Sequence, residues 1–208
     1  MTPERRKHFT MIRTFVAADW LTLGNGFCGA GAVLSAMQYL VSHDSRWLVL
    51  SMALLPLALV LDFADGRVAR WRHKSSKLGA DLDSLADVIS FGMAPAAIGY
   101  AAGLRGALDI AILIYFVACG ISRLARFNAT ADELSDESGK VKYFEGTPIP
   151  TSVFLVLFLL VLHFMGKLGP DRVWLGQWDV GPVILHPLAL LYAASGSAMI
   201  STIRVPKI

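Results

Sequence analysis

Four aspartates, Asp62, Asp65, Asp83 and Asp87, interrupt otherwise apolar stretches of the chain, and their spacing suits metal and acid–base chemistry. Asp62 and Asp65 stand at i and i+3, and Asp83 and Asp87 at i and i+4, so on helices each pair shares one face. If the two helices are neighbours, four carboxylates converge. Two unit charges about 5.5 Å apart repel by roughly 3 kcal/mol at an effective dielectric of about 20, so the group cannot stay ionised unaided. Protonation of some acids, pairing with arginine, or divalent cations would relieve the repulsion. All-oxygen ligation suits Mg2+, Mn2+ or Ca2+, and two such ions would balance the charge. Gly66, Ala69 and Gly79 lie among the acids, where lack of bulk allows close approach of a helix or a flat ligand. Taken singly, each acid could be an interfacial carboxylate and each glycine a packing residue. Taken together they read as a site, because ionisable groups inside a membrane are functional by default.

The surrounding chain has to position that cluster in lipid. With 55% hydrophobic residues and a mean hydropathy of +0.55, its 208 residues are too apolar for a soluble domain of that length. Six apolar stretches, near 14–41, 47–66, 79–102, 106–122, 148–166 and 181–203, approach the ~20 residues that cross a hydrocarbon core. The expected architecture is all-α integral membrane, with six transmembrane helices in a single domain spanning 1–208. The fourth stretch is short before it reaches Arg123, and the third carries acids.

Basic residues orient this layout, since Lys and Arg collect on the cytoplasmic side. With a cytoplasmic N-terminus, Arg5, Arg6, Lys7, Arg13, Arg67, Arg70, Arg72, Lys74, Lys77, Arg123, Arg126, Lys140, Lys142, Arg204 and Lys207 fall on one face. Only Arg46, Arg105, Lys167 and Arg172 fall on the other. Both termini and the acidic cluster are therefore expected inside, in a cell inner membrane. The excess of positive charge follows topology and faces anionic headgroups, which argues against nucleic acid as a partner.

Met1–Arg13 is basic and precedes an apolar run too long for a signal peptide, so it is expected to be retained. It can form a short interfacial helix with Phe9, Met11 and Ile12 towards lipid. Cys28 and Cys119 fall within spans, with no CxxC pair, and read as packing residues. Asn128–Glu145, about eighteen residues rich in Asp, Glu, Ser and Lys, is expected to be a mobile connection or a lid.

Read as a pattern, Asp65-Gly66-x2-Ala69-Arg70-x8-Gly79-x3-Asp83-x3-Asp87, with Asp62 three residues earlier, resembles the signature of the CDP-alcohol phosphotransferase family. The resemblance implies a CDP-linked lipid donor, a small alcohol acceptor, release of CMP, and a homodimer. It also implies that Asp62, Asp65, Asp83 and Asp87 bind two divalent ions, Mg2+ or Mn2+, with Asp87 serving also as general base. Asp62, Gly66, Ala69, Arg70 and Gly79 would then lie against the CDP moiety. Arg70 could equally pair with a carboxylate.

Further segments resemble the branch of that family that makes phosphatidylserine: Asp19–Asn25, Asp83–Ala96, Arg123–Asn128, Tyr143–Ser152 and the C-terminal STIRVPKI. That resemblance implies CDP-diacylglycerol as donor and L-serine as acceptor. Thr22 and Asn25, one turn apart, would face the donor's polar part. Arg123 and Arg126 are candidates for the acceptor carboxylate or the lipid phosphate, with Glu145, Thr147 and Pro148 near the entrance. The same arginines could instead anchor their helix at the headgroups, and Pro148 and Pro150 could simply start the fifth helix. Inositol phosphate or glycerol phosphate as acceptor would need a second phosphate site, which the basic residues here allow. A membrane transporter whose acids bind a cation in transit is the alternative from another class.

Overall fold

The computed structural model describes residues 17–71, 77–133, 143–169, 172–202 and 204–206. Helix α1 spans Ala17–Ser42 and α2 spans Ser45–Trp71. A third rod runs through α3 (Lys77–Asp87), a π-helical turn (Val88–Met93) and α4 (Ala94–Ala101). Helix α5 spans Ala107–Glu133, and α6 (Ser152–Phe164) follows a 3-10 turn over Ile149–Thr151. Helix α7 spans Ala189–Met199. The fold is thus mostly helical. Two short antiparallel ladders add to it: β1 (Tyr143–Glu145) pairs with β4 (Arg204–Pro206), and β2 (Trp178–Val180) with β3 (Val183–Leu185).

Three helices among the described residues are long and apolar enough to cross a membrane, at Ser45–Val68, Leu78–Ala101 and Ala107–Ala129. Helix α1 has the length, 26 residues, but Gly24, Asn25, Gly26, Gly29, Gly31 and Gln38 dilute its apolarity. Large side chains such as Phe27, Val41, Phe154 and Phe164 face outward while the opposite faces are buried, as expected of a bundle in a nonpolar solvent. Pro56 is accommodated inside α2.

Three expectations change. The fourth stretch does not stop near residue 122: α5 carries Arg123 and Arg126 within one helix and continues to Glu133. The polar connection expected from Asn128 is therefore helical for its first six residues, because Ala129, Ala131 and Glu133 favour helix and Asn128 is tied to Ser84. Residues 134–142 lie outside the described residues, as does the proposed interfacial segment 1–13. The sixth stretch, 181–203, holds a β-strand and then a helix of only 11 residues, about 16 Å long at 1.5 Å per residue. Pro182 and Pro187 interrupt its N-terminal part, so helix starts only after them.

The π turn has a local cause. Pro95 cannot donate to the carbonyl of Phe91 and crowds it, and the chain relaxes by widening the turn ahead, with the Ala94 N–H reaching the Ile89 carbonyl. The Pro95 carbonyl accepts the Tyr192 hydroxyl at 2.9 Å, which joins α4 to α7. Phe116 meets Tyr192 edge-to-face at 5.4 Å, bringing in α5. The core around these rings includes Tyr39, Met52, Leu55, Phe91, Ile98, Ile149 and Leu159, all fully or nearly fully buried.

Helix α1 packs along α2 and also against α3, the π turn and α4. Its glycines make this possible. Gly24 and Gly31 face Leu61 and Leu54 of α2, while Gly26 and Gly29 face Ala86 and Ser90 of the third rod. At Gly29 a Cβ would lie 2.6 Å from the Ser90 Cα, closer than any side chain allows. Gly29→Leu is expected to destabilise the bundle by about 1–3 kcal/mol or more through forced separation of these helices. Unfolding in mixed detergent measures it, with Ala30→Leu, on the exposed side of α1, as the neutral control.

At the other end of α5, Asp109 is fully buried and accepts three hydrogen bonds. They come from the Gly106 N–H at 2.9 Å, the His186 N–H at 2.8 Å and His186 Nδ1 at 2.6 Å. The carboxylate caps the start of α5 and anchors the chain leaving the β2–β3 hairpin. Asp109→Ala strands those donors and is expected to cost roughly 3–5 kcal/mol in the same unfolding experiment.

Candidate metal and active site

The acids meet across helix α1, which packs against both α2 and α3. Oxygen atoms of Asp62, Asp83 and Asp87 lie within 4.8 Å of one another. Asp65 stands outside that trio, although all four acids are within Coulombic range of one another. The expected four-way convergence is therefore three acids in one group with a fourth at its side. At the trio's spacing each ionised pair repels by about 3.5 kcal/mol for an effective dielectric of ~20. The Oδ1 atom of Asp83 is buried with no hydrogen-bond partner among the described residues. A cluster of hard oxygen donors with an unsatisfied carboxylate oxygen fits a divalent cation of the Mg2+ or Mn2+ kind.

Helix α1 supplies neutral donors to two of the four acids, Asp65 and Asp87. The Thr22 hydroxyl donates to Asp65 Oδ2 at 2.7 Å, and it also lies 3.2 Å from the Ala18 carbonyl. With one hydrogen to give, the shorter bond to a charged acceptor is favoured. Asn25 donates through Nδ2 to Asp87 Oδ1 at 3.1 Å. Thr22, Asn25, Asp65 and Asp87 are all buried. Thr22 and Asn25, expected to face the donor, thus both engage carboxylates. Asp19, in the same segment, is buried and within Coulombic range of Asp65.

At Gly66 a Cβ would meet nothing within 4 Å among the described residues, so that face of α2 has room for a flat ligand. Gly79 is partly buried in the first turn of α3. The side chains of Ala69, Arg70 and Glu145 lie outside the described residues; the Glu145 backbone pairs with Arg204. Arg123 is half-buried within Coulombic range of Asp87, and its Nε is buried with no hydrogen-bond partner among the described residues. Arg126 is exposed. Arg123 is thus brought to the acids.

Ser84 and Ser90 were not singled out by sequence. Ser84, next to Asp83, exchanges hydrogen bonds with Asn128 at 3.0 and 3.2 Å, pinning α3 to the helix that carries Arg123. Ser90 donates to the Asn25 carbonyl at 2.9 Å. A serine three residues beyond an acid carries no local signal, since its partner is 65 residues away. Asp109 could have been flagged as an ionisable residue inside an apolar span. The Thr147–Pro148 turn, expected near the entrance, is held by the Thr147 N–H on the Ala198 carbonyl at 3.1 Å. It follows Gly146, whose φ of +78° requires glycine or strain.

Comparison with known proteins places this arrangement. The family model for CDP-alcohol phosphatidyltransferase matches residues 15–193. The chain is 40% identical over 204 residues to the CDP-diacylglycerol–serine O-phosphatidyltransferase of Saccharomyces cerevisiae, covering 96% of this chain and 74% of that one. It is 34% identical over 183 residues to the enzyme of that name from Helicobacter pylori, covering 85% and 69% respectively. The Mycobacterium bovis protein of that name is 34% identical over 171 residues, 79% of this chain and 59% of its own length. Acids clustered between apolar helices, the spacing that joins them and these matches agree, and the chain belongs to the CDP-alcohol phosphatidyltransferase family.

Proposed function

We propose that this protein transfers the phosphatidyl group of CDP-diacylglycerol to the hydroxyl of L-serine, giving phosphatidylserine and CMP. The observation that carries the reading is the convergence of Asp62, Asp83 and Asp87, with Arg123 beside Asp87, inside an apolar helical bundle. The names of the relatives support the donor and the acceptor. Asp62, Asp65, Asp83 and Asp87 are proposed to hold two divalent cations, Mg2+ or Mn2+. Bound there, the cations would offset the negative charge of the acids and the diphosphate and favour departure of CMP.

The chain's own groups divide the remaining work. Asp87 takes the proton of the serine hydroxyl as its oxygen bonds to the phosphatidyl phosphorus, and the bond to the CMP oxygen breaks with its electron pair leaving on CMP. Arg123 receives the acceptor carboxylate, holding the hydroxyl near Asp87. The face at Gly66 takes the cytidine side of the donor, and Ala69, Arg70 and Gly79 are proposed to share in that contact. Glu145 and Arg126 are assigned to the rim, near the acceptor ammonium and the lipid phosphate.

The domain is proposed as a single unit over 1–208 with six helical crossings: α1, α2, the α3–α4 rod, α5, α6 and α7. Both termini and the acids lie on the cytoplasmic side of an inner membrane, a reading supported by the asymmetry of Lys and Arg. The assembly is proposed as a homodimer. Its support is an apolar groove of about 530 Å3 between α1, α4 and α5, walled by residues such as Met37, Tyr100 and Ile114, that a second copy could cover.

Purified protein given CDP-diacylglycerol and Mn2+ or Mg2+ is expected to release CMP with serine, and not with inositol phosphate or glycerol phosphate. Mass spectrometry should identify phosphatidylserine as the product. CMP release with another alcohol would keep the chemistry and discard serine. No release with any acceptor, from folded protein, would discard the enzyme reading.

Asp87→Asn is expected to lower turnover by about 10²–10⁴-fold while the protein still folds, since it keeps volume and loses the base. Asp62→Asn removes one charged ligand and is expected to weaken Mn2+ binding at least about tenfold, read by calorimetric titration. Chelation should abolish CMP release and added Mg2+ or Mn2+ should restore it.

A further inference from the structure

Asn25 is fully buried in the middle of an apolar helix, where an amide is costly unless its hydrogen-bonding groups are used. Its contacts form a closed arrangement with one short stretch of the third rod. The side-chain N–H group reaches Asp87 at 3.1 Å, and three residues further on Ser90 donates to the Asn25 backbone carbonyl at 2.9 Å. Gly29, one turn along α1, removes the side chain that would keep Ser90 away. The π turn begins directly after Asp87 and contains Ser90, so the two contacts bracket the change in helical winding.

We infer that Asn25 is the positioning residue of Asp87, and that the Ser90–Asn25 bond and the glycine at 29 hold Asn25 in place for that task. This rests on the phosphatidyl-transfer reading and departs from a direct contact of Asn25 with the lipid donor. Asp87 has no other hydrogen-bond partner among the described residues. With Oδ1 engaged by Asn25, the carboxylate has one oxygen fixed and the other directed to the acid cluster, where cation and acceptor hydroxyl are proposed to meet. Rotation about the Asp87 side chain would break the bond to Asn25, so the amide selects the rotamer that keeps the free oxygen on the acid cluster. The amide orientation follows from charge, because an Asn25 carbonyl oxygen turned to an ionised Asp87 would be repelled.

The test is the kinetics of CMP release by Asn25→Ala, Ser90→Ala, Asp87→Glu and the Asn25→Ala/Asp87→Glu pair, each checked for folding by size exclusion in detergent. Asn25→Ala is expected to lower kcat about 100-fold, with KM for serine and for CDP-diacylglycerol within about threefold of wild type. Ser90→Ala should give a smaller fall in kcat, about 3- to 10-fold, again at unchanged KM. In the Asp87→Glu background, where the carboxylate is already displaced, Asn25→Ala should cost less than about threefold more. A rise of tenfold in the donor KM at unchanged kcat, or full additivity with Asp87→Glu, would overturn the inference in favour of a donor contact. If Asn25→Ala does not fold, Ser90→Ala decides alone, and unchanged kcat there would overturn it.

A second readout does not depend on turnover. The infrared difference between wild type and Asn25→Ala should contain a carboxylate stretching band that disappears when the same difference is taken in the Asp87→Asn background. Absence of that band would refute the contact even in a protein that transfers to some other alcohol. An inactive wild type with the band intact would refute the proposed reaction and leave the pairing standing.

Discussion

Mutual repulsion among carboxylates in a nonpolar bundle is the constraint on which the rest of the structure depends. Asp62, Asp83 and Asp87 lie close enough that each pair opposes the fold by several kcal/mol, and Asp65 adds to the field. Unrelieved, that repulsion would push the helices apart. The bundle holds them together by surrounding them with donors that cost no further charge: Thr22 on Asp65 and Asn25 on Asp87. Arg123 adds positive charge from the side of α5. Such an arrangement is stable enough to persist and strained enough to favour multivalent positive charge, which is a useful property in a site that must also meet a diphosphate.

Helix α1 carries no member of the acidic signature, yet it organises the site. Its small residues allow approach to α2 on one side and to the third rod on the other, and its polar residues emerge where the acids are. The same glycines that lower its apolarity are the ones that let two neighbours close on it. Membrane helices lack a hydrophobic drive to associate, so close van der Waals packing and a few interhelical hydrogen bonds have to suffice. Ser90 to the Asn25 carbonyl and Thr22 to Asp65 are two of those bonds.

The acids were legible in the sequence because burying charge in an apolar run is expensive enough to stand out, and their i+3 and i+4 spacing decides a shared face. The helical class and the long spans at α2, the third rod and α5 were legible for the same reason of length and composition. The end of α5 was not, because Asn128 and the residues after it look like loop until Ser84, 44 positions away in sequence, fixes Asn128. The last apolar stretch misled because hydropathy does not register the prolines that keep its start out of helix. Thr22 and Asn25 were found as polar residues of interest, but their partners depend on helix packing that no local pattern encodes.

Helix α5 is fastened near both ends, by Asp109 to His186 and Gly106 at one and by Asn128 to Ser84 at the other. Those fastenings are about 28 Å apart along the axis at 1.5 Å per residue. A rod held only at the Asp109 end could swing, and a 5° tilt would move the far end by about 2.5 Å, nearly a hydrogen-bond length, by the same geometry. Fixed at both ends it acts as a strut. Arg123, five residues short of the Asn128 fastening, then has little lateral freedom, and the hairpin at the far end of α5 becomes part of the alignment of the site although it lies about 28 Å along the helix.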